Sequence, residues 1–257
     1  MREEGFGCLK VAVTGAAGGI GSALCRRLAA EGAQVFAWDR DAEALERLAA
    51  EVAVEPRVVD LVDRVQVEEA ADEAGPFDVV INNAGVTALG PFGEVAAEAV
   101  EQVMAVNLFG AAHVTRATLP GLVERRGRIA VLSSVAGFSP LVHRTAYAAS
   151  KHALHGLFES LRAELVGTGV TVTMVCPSFA DTGIDTRAVA RATGEKGRWS
   201  TTGRHLSADQ VAAAAIRGLR RRRRLVLVGA TAKLAYVTFR VSPALYERLM
   251  RRRIAGA

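Results

Sequence analysis

Short apolar runs alternate along this chain with longer segments in which apolar residues return every three or four positions. Leu9 to Thr14, Gln34 to Trp38, Arg57 to Val59, Phe77 to Ile81, Arg128 to Ser133, Thr171 to Cys176 and Leu225 to Val228 read as strands. Between them lie helical patterns: one through Leu24, Leu28 and Ala29, then Ala42 to Val52 capped by Asp41, Val62 to Ala74, and Val95 to Leu119 with Pro120 at its end. Thr145 to Val166 follows, and a last helix opens at Ser207, with Gln210 completing a capping box, and ends at Gly218-Leu219. Strands separated by helices imply right-handed crossovers, which predicts an α/β fold: a doubly wound parallel sheet of about seven strands with helices on both faces.

A chain of 257 residues, half of them hydrophobic, can bury one substantial core, so a single domain over 1–257 is expected. There is no uninterrupted apolar run of membrane-spanning length, and Met1 to Gly7 lacks the apolar core of a signal peptide, which points to a soluble, cytoplasmic protein. Cys8, Cys25 and Cys176 have no metal-ligand spacing and read as free thiols, so no metal site is expected. The net charge of +5 hides an asymmetry: from Arg217 to the end there are twelve Lys/Arg against one acid, Glu247, so this stretch carries +11 and the remainder −6. The basic charge belongs to the tail, and nucleic-acid binding by the whole protein is not implied. In the segment 229–257, Leu234, Val237, Val241, Leu245 and Leu249 recur at helical spacing with a break at Ser242-Pro243, predicting two short basic amphipathic helices. Such helices suit peripheral contact with an anionic membrane; the competing reading is that they cover the protein's own core or a partner subunit.

The candidate chemistry gathers at strand ends. The first strand runs into Gly15-Ala16-Ala17-Gly18-Gly19-Ile20-Gly21 and a helix, a junction that lets backbone approach a pyrophosphate while the helix N-terminus presents free N–H groups. Alone, a glycine turn is as readily structural. Asp39 ends the second strand about where a ribose-binding acid belongs, beside Arg40; Asp60 ends the third, and Asn82-Asn83-Ala84-Gly85 follows the fourth. Asn107 falls inside a helix it does not favour, where its side chain can hold a water or a carbonyl at a bend. Ser134 ends the fifth strand, and Tyr147-Ala148-Ala149-Ser150-Lys151 lies on the next helix. Four residues apart, Lys151 shares a helix face with Tyr147, so its ammonium is expected to lower the phenol pKa and fit it for proton transfer, with Ser134 donating to a substrate oxygen. Tyr-x-x-x-Lys by itself is more often an ordinary amphipathic surface. Phe179 to His205 has little periodicity and reads as a substrate lid.

In order and spacing, these motifs resemble the short-chain dehydrogenase/reductase family from about Leu9 to Val228. The resemblance implies a Rossmann fold and an oxidoreductase that moves a hydride between a nicotinamide cofactor and an alcohol or ketone. It places Thr14, Gly15, Gly19, Ile20 and Gly21 at the cofactor phosphates, Asp60 with Leu61 at the adenine, the segment Asn82, Asn83, Ala84 and Gly85 at the ribose-side strand end, and Pro177 and Thr182 at the nicotinamide carboxamide. Ser178 departs from the glycine that many members carry there. Asn107, Ser134, Tyr147 and Lys151 match the family's catalytic four, with Tyr147 and Lys151 also meeting the cofactor, and Asn107 holding a water that links Lys151 to solvent. Neither His143 nor His152 is needed in catalysis. Asp39 favours NAD over NADP through repulsion of a 2′-phosphate, which Arg40 would offset. Phe138, Leu141 and Phe179 suggest an apolar substrate pocket. The family likeness also implies a homo-oligomer, dimer or tetramer, through the two long helices. The alternative reading is a dinucleotide-sensing regulatory or scaffold protein that has kept the fold and lost the chemistry.

Overall fold

The computed structural model describes residues 5–185, 188–191 and 205–255. In chain order the strands are β1 (Lys10–Thr14), β2 (Gln34–Asp39), β3 (Glu55–Val58), β4 (Val79–Asn82), β5 (Ala88–Leu89), β6 (Arg128–Leu132), β7 (Thr171–Pro177), β8 (Ala180–Asp181), β9 (Ala190–Arg191), β10 (Leu206–Ser207) and β11 (Leu225–Val228). Among the described residues, seven of them form one parallel sheet in the order β11-β7-β6-β4-β1-β2-β3. The direction of winding reverses between β1 and β4, and the crevice outside their carboxyl ends is where a ligand is expected in such a sheet. The short strands pair β5 with β9 and β8 with β10, tying part of the segment after β7 to the body of the fold.

Both faces of the sheet are covered, which is why its strands read as continuous apolar runs rather than alternating ones. In β1, Val11 and Val13 enter a core with Leu24 and Leu28 of α1 (Gly19–Ala30) and with Val211 and Ile216 of the helix Ala208–Arg220. Ala12 points the other way, into a core with Trp38, Phe77, Leu122 and Phe158. The edge strand β3 is exposed at all four positions. It begins two residues before the expected Arg57 because an edge strand with no buried face leaves no apolar pattern to read.

The remaining helices are α2 (Ala42–Glu51), α3 (Arg64–Ala74), α4 (Ala97–Met104), α5 (Ala111–Glu124), α6 (Thr145–Glu164), α7 (Ala208–Arg220), α8 (Ala230–Val241) and α9 (Pro243–Ala255). Asp41 caps α2 by accepting from the Ala44 N–H at 3.0 Å, and Ser207 with Gln210 forms the expected box on α7. The expected helix from Val95 to Leu119 needs correction at both its middle and its end. Ala105–Gly110 is a π-helical segment between α4 and α5, and α5 runs through Pro120 to Glu124. Pro120 frees the Arg116 carbonyl, but both residues are exposed, so water can take up that oxygen while fully buried Leu122 holds the last turn to the core.

The tail forms two helices that break at Ser242, as its sequence pattern predicts. One face of α8 packs inward: Ala232 and Ala235 are buried, and Tyr236 meets Phe138 edge to face at 5.1 Å. From α9, the Tyr246 hydroxyl lies 3.1 Å from Ser139 Oγ, and its ring meets Phe239 of α8 at 5.5 Å.

Candidate active site

The cleft between β1 and β4 is built on backbone contact. Gly15 has φ +63°, and a Cβ on it would lie 2.8 Å from Ala84 Cα; a Cβ on Gly21 would lie 2.0 Å from the Gly15 carbonyl oxygen. Only glycine lets the first turn of α1 sit this close to the strand end. No side chain caps the start of α1 and no acid occupies its first turn, so its orphan N–H groups and positive dipole end are left for an anion. Thr14 Oγ1 accepts from the N–H groups of Asn83 and Ala84 at 3.0 and 3.1 Å, and Asn83 Nδ2 donates to the Thr14 and Gly15 carbonyls at 2.9 and 3.1 Å. These bonds lock the two strand ends into one rim.

The cleft is lined by Gly15, Gly19, Ile20, Asp39, Arg40, Asp60, Leu61, Ala84, Gly85 and Thr182 from the sequence-derived set. Asn83, from the strand-end segment Asn82 to Gly85, lines it as well, and so do Gly18, Trp38, Asp41, Val59, Val86, Val106 and Ile184, which were not assigned to the cofactor. Thr14 and Gly21 shape the turn rather than line the cleft. Asn82 is corrected: its Nδ2 donates to Thr115 Oγ1 at 2.9 Å inside the core, and Asn83 faces the cleft. Strand alternation accounts for the switch, since Asn82 shares the face of Val80, which belongs to the core beneath α5. Asp39 accepts from the Ala17 N–H at 3.0 Å and from the Asp41 N–H at 3.1 Å, so its carboxylate is fixed at the far end of the glycine turn.

A second pocket continues the first, sharing Ile20, Asn83, Gly85, Thr182 and Ile184, and contains Ser134, Tyr147, Lys151, Pro177, Leu141 and Phe179. Ser134 Oγ accepts from the Ala136 N–H at 3.2 Å, an arrangement that leaves its own proton to donate. Lys151 is 3% exposed, its Nζ donating to the Leu132 carbonyl at 2.7 Å and lying 5.6 Å from the Tyr147 ring centroid. Burial lowers Lys151 from 10.5 to about 8. The expected depression of Tyr147 by Lys151 is not found. Burial holds the Tyr147 hydroxyl above the ordinary phenol range, and the groups that pull it down are Ser134, by hydrogen bonding, and the Arg144 charge. Lys151 is drawn toward a backbone carbonyl, and in so dry a site desolvation of the phenolate outweighs its neighbours.

Asn107 is 1% exposed in the π-helical segment. Its Oδ1 accepts from the Val86 N–H at 2.8 Å, and its Nδ2 donates to the Val86 carbonyl at 3.0 Å and to Ser150 Oγ at 2.9 Å. The expected grip on a neighbouring carbonyl is therefore present, and it fastens the loop after β4 to the helix carrying Tyr147 and Lys151.

Other pocket features lie beyond local sequence patterns. Arg144 makes a bidentate pair with Asp185, both contacts 2.6 Å, and His205 stacks on Phe179 with centroids 6.3 Å apart. Phe138 is not a pocket residue: it packs on Tyr236 and His155, beneath the turn that follows Ser134. Ser178, at the position where glycine was expected, is accommodated by Gly229 opposite, where a Cβ would come 2.8 Å from Ser178 Oγ. Of the expected lid, 186–187 and 192–204 lie outside the described residues. Cys25 and Cys176 are buried and each pushed up to about 12 by burial, so neither is a nucleophile at neutral pH; Cys8 is exposed.

The family model described as short chain dehydrogenase matches residues 10–192. A 1-deoxy-11-beta-hydroxypentalenate dehydrogenase from Streptomyces exfoliatus is 47% identical over 186 residues, covering 66% of this chain and 66% of that protein. A short-chain dehydrogenase from Burkholderia cenocepacia, solved with NADP, superposes with a TM-score of 0.84 at 28% identity, over 96% of this chain and 99% of that one. A short-chain dehydrogenase/reductase from Burkholderia phymatum, solved with NAD, gives 0.81 at 29% identity, over 93% and 96%.

Proposed function

This chain belongs to the short-chain dehydrogenase/reductase family, and from that premise we propose that Ser134, Tyr147 and Lys151 form its reacting site, with Asn107 as the brace that positions them. The protein is an NAD(P)-dependent oxidoreductase acting between an alcohol and a carbonyl. The observation that carries the assignment of residues is the placement of the half-buried Tyr147 phenol beside Ser134 at the inner end of a glycine-built cleft. The uncapped α1 terminus and the close glycine contacts fit a dinucleotide: Gly18, Gly19 and Ile20 would hold its phosphates, Asp39 and Asp60 its adenosine end, and Thr182 its carboxamide. When bound, the nicotinamide supplies or takes up the hydride. Tyr147, kept protonated by burial, gives its proton to a carbonyl oxygen in reduction and receives it back in oxidation. Ser134 donates to the same oxygen and holds it in line. Lys151 keeps a positive charge where cofactor hydroxyls would lie. The tripod on Asn107 fixes the spacing between cleft and catalytic helix.

The silent-sensor alternative gains no support from these features. The name of the Streptomyces exfoliatus relative supports a hydroxyl as the reacting group for this chain too, and Leu141, Phe179 and Ile184 offer an apolar surface for the rest of the substrate. Turnover of a panel of cyclic and linear alcohols and ketones with NAD and NADP tests this reading; tight cofactor binding without turnover of any of them would return the sensor.

The printed shift of Lys151 gives a pH dependence. Its ammonium predominates below about 8 and is lost above, while Tyr147, shifted upward, stays protonated across the same window. Carbonyl reduction is expected to fall as pH rises through about 8. Lys151→Arg, whose guanidinium stays charged, flattens that limb, and a limb unchanged in this variant assigns the titration to another group.

A homo-oligomer built on the α4–α5 and α6 helices is consistent with the exposure of Phe109 (54%) and Leu157 (37%) on them. A dimer or tetramer in sedimentation at micromolar concentration is the expected result, and a monomer contradicts it.

A further inference from the structure

Helix α8 is apolar on two opposite faces. At about 100° per residue, Ala232, Ala235, Tyr236 and Phe239 gather on one side, and Leu234, Val237 and Val241 fall within roughly 60° of one another on the other. The first face is the one packed on the body of the protein and on α9. On the second, Leu234, Val237 and Val241 are 68%, 58% and 79% exposed; on α9, Leu245 is 47% and Leu249 46% exposed. Five of the fourteen large apolar side chains exposed among the described residues therefore lie on 230–255, about a tenth of the chain. Single exposed apolar residues need no explanation; a concentrated set at helical spacing marks a surface that meets something.

The charges around it restrict what that can be. Lys233 and Arg240 border one edge of the stripe on α8, Arg240 with its guanidinium 4.6 Å from the Tyr236 ring centroid, and Arg248 and Arg251 are exposed on α9. Glu247 is the one acid between Arg217 and the end, and it lies 3.9 Å from Arg251. An apolar stripe bordered by cations matches a surface that is oily inside and anionic at its boundary. Two copies of this face would bring like charges together, so a symmetric self-contact is disfavoured. Neither helix is long and apolar enough to cross a bilayer, which leaves a helix pair lying in the interface.

We propose that the α8–α9 hairpin docks on an anionic lipid bilayer. Leu234, Val237, Val241, Leu245 and Leu249 enter the headgroup boundary, and Lys233, Arg240, Arg248 and Arg251 meet the lipid phosphates. Tyr236 and Tyr246 hold the hairpin to Phe138 and Ser139, just beyond catalytic Ser134, so the membrane contact is rigidly linked to the wall of the active site.

The test is co-sedimentation of the full chain with vesicles of phosphatidylcholine alone or mixed with phosphatidylglycerol, at low and high salt. Binding is expected only with phosphatidylglycerol, weakening as salt rises. The triple variant Leu234→Ser, Val237→Ser, Val241→Ser is expected to lose it. Lys233→Gln and Arg240→Gln each lower the partition coefficient about fivefold. All five side chains are exposed, so unchanged turnover in solution serves as the control for folding. Absence of binding to anionic vesicles, or binding by the triple variant equal to that of the unmodified chain, overturns the proposal. So does sedimentation equilibrium showing self-association that the triple variant abolishes, because the stripe would then be an interface between copies.

Discussion

Replacing Tyr147 by Phe is expected to lower turnover by at least about a hundredfold, the usual scale of a lost general acid or base, while leaving cofactor affinity nearly unchanged. The substitution removes one oxygen and keeps the ring, so the packing of α6 and the contact of Lys151 Nζ with the ring, 5.6 Å from its centroid, survive. What disappears is the proton that burial keeps on the phenol at neutral pH. Ser134 remains able to orient the substrate oxygen, but a serine hydroxyl is far too weak an acid to replace Tyr147. Lys151→Ala should differ in kind, weakening cofactor binding and turnover together, because its ammonium lies beside both Gly85 of the cleft and the Tyr147 ring. Steady-state kinetics combined with a fluorescence titration of the cofactor separates the two outcomes. Near-normal turnover in Tyr147→Phe would mean that another group handles the proton.

The second large effect concerns the choice of cofactor, with NAD expected to exceed NADP in kcat/KM by one to two orders of magnitude. Asp39 is locked by the Ala17 and Asp41 N–H groups, and Asp41 and Asp60 line the same end of the cleft. With an effective dielectric of ~20 and a separation of ~5 Å, each unit of like charge costs about 3 kcal/mol, roughly a hundredfold in affinity. Arg40 sits among these acids and offsets part of it, which sets the lower end of the expected range. Asp39→Ser is expected to bring the two cofactors close together, chiefly through a gain with NADP. It should also cost some NAD affinity, since Ala17 loses the acceptor that holds the glycine turn. A strong NADP preference in the unmodified enzyme would contradict this role for Asp39.

How far the sequence foretold this site depended on the range of each interaction. Strands buried on both faces announce themselves as apolar runs, so the main sheet was legible; exposed β3 was placed less well. The glycine turn and the Tyr147–Lys151 pair are local, set by a few residues and the pitch of one helix, and both were readable. The direction of the Tyr147 shift was not, because it depends on how dry the assembled site becomes. Within the segment Asn82 to Gly85, that Asn82 turns to the core and Asn83 to the cleft was readable in principle, since period-two alternation assigns Asn82 to the face of Val80. The Arg144–Asp185 pair joins residues 41 apart and had no local signature. In the tail, helical spacing marked the two helices correctly, but the large residues drew attention to the outer stripe. The face that packs inward is marked mainly by Ala232 and Ala235, whose small side chains give a weak signal.

The π-helical segment also sets how much the chain length may vary here. Its wide turn accommodates about one residue more than an α-helix would over the same rise. Removing one residue between Ala105 and Gly110 could convert the stretch from Ala97 to Glu124 into a regular helix. The positions downstream would then keep nearly their present phase, because the residue removed is the one the wide turn had absorbed. Val114 and Leu122 would stay in the core and Thr115 beside Asn82. What would be lost is the local bulge that seats Asn107 against Val86 and Ser150, so an omission the fold absorbs would fall on the site instead.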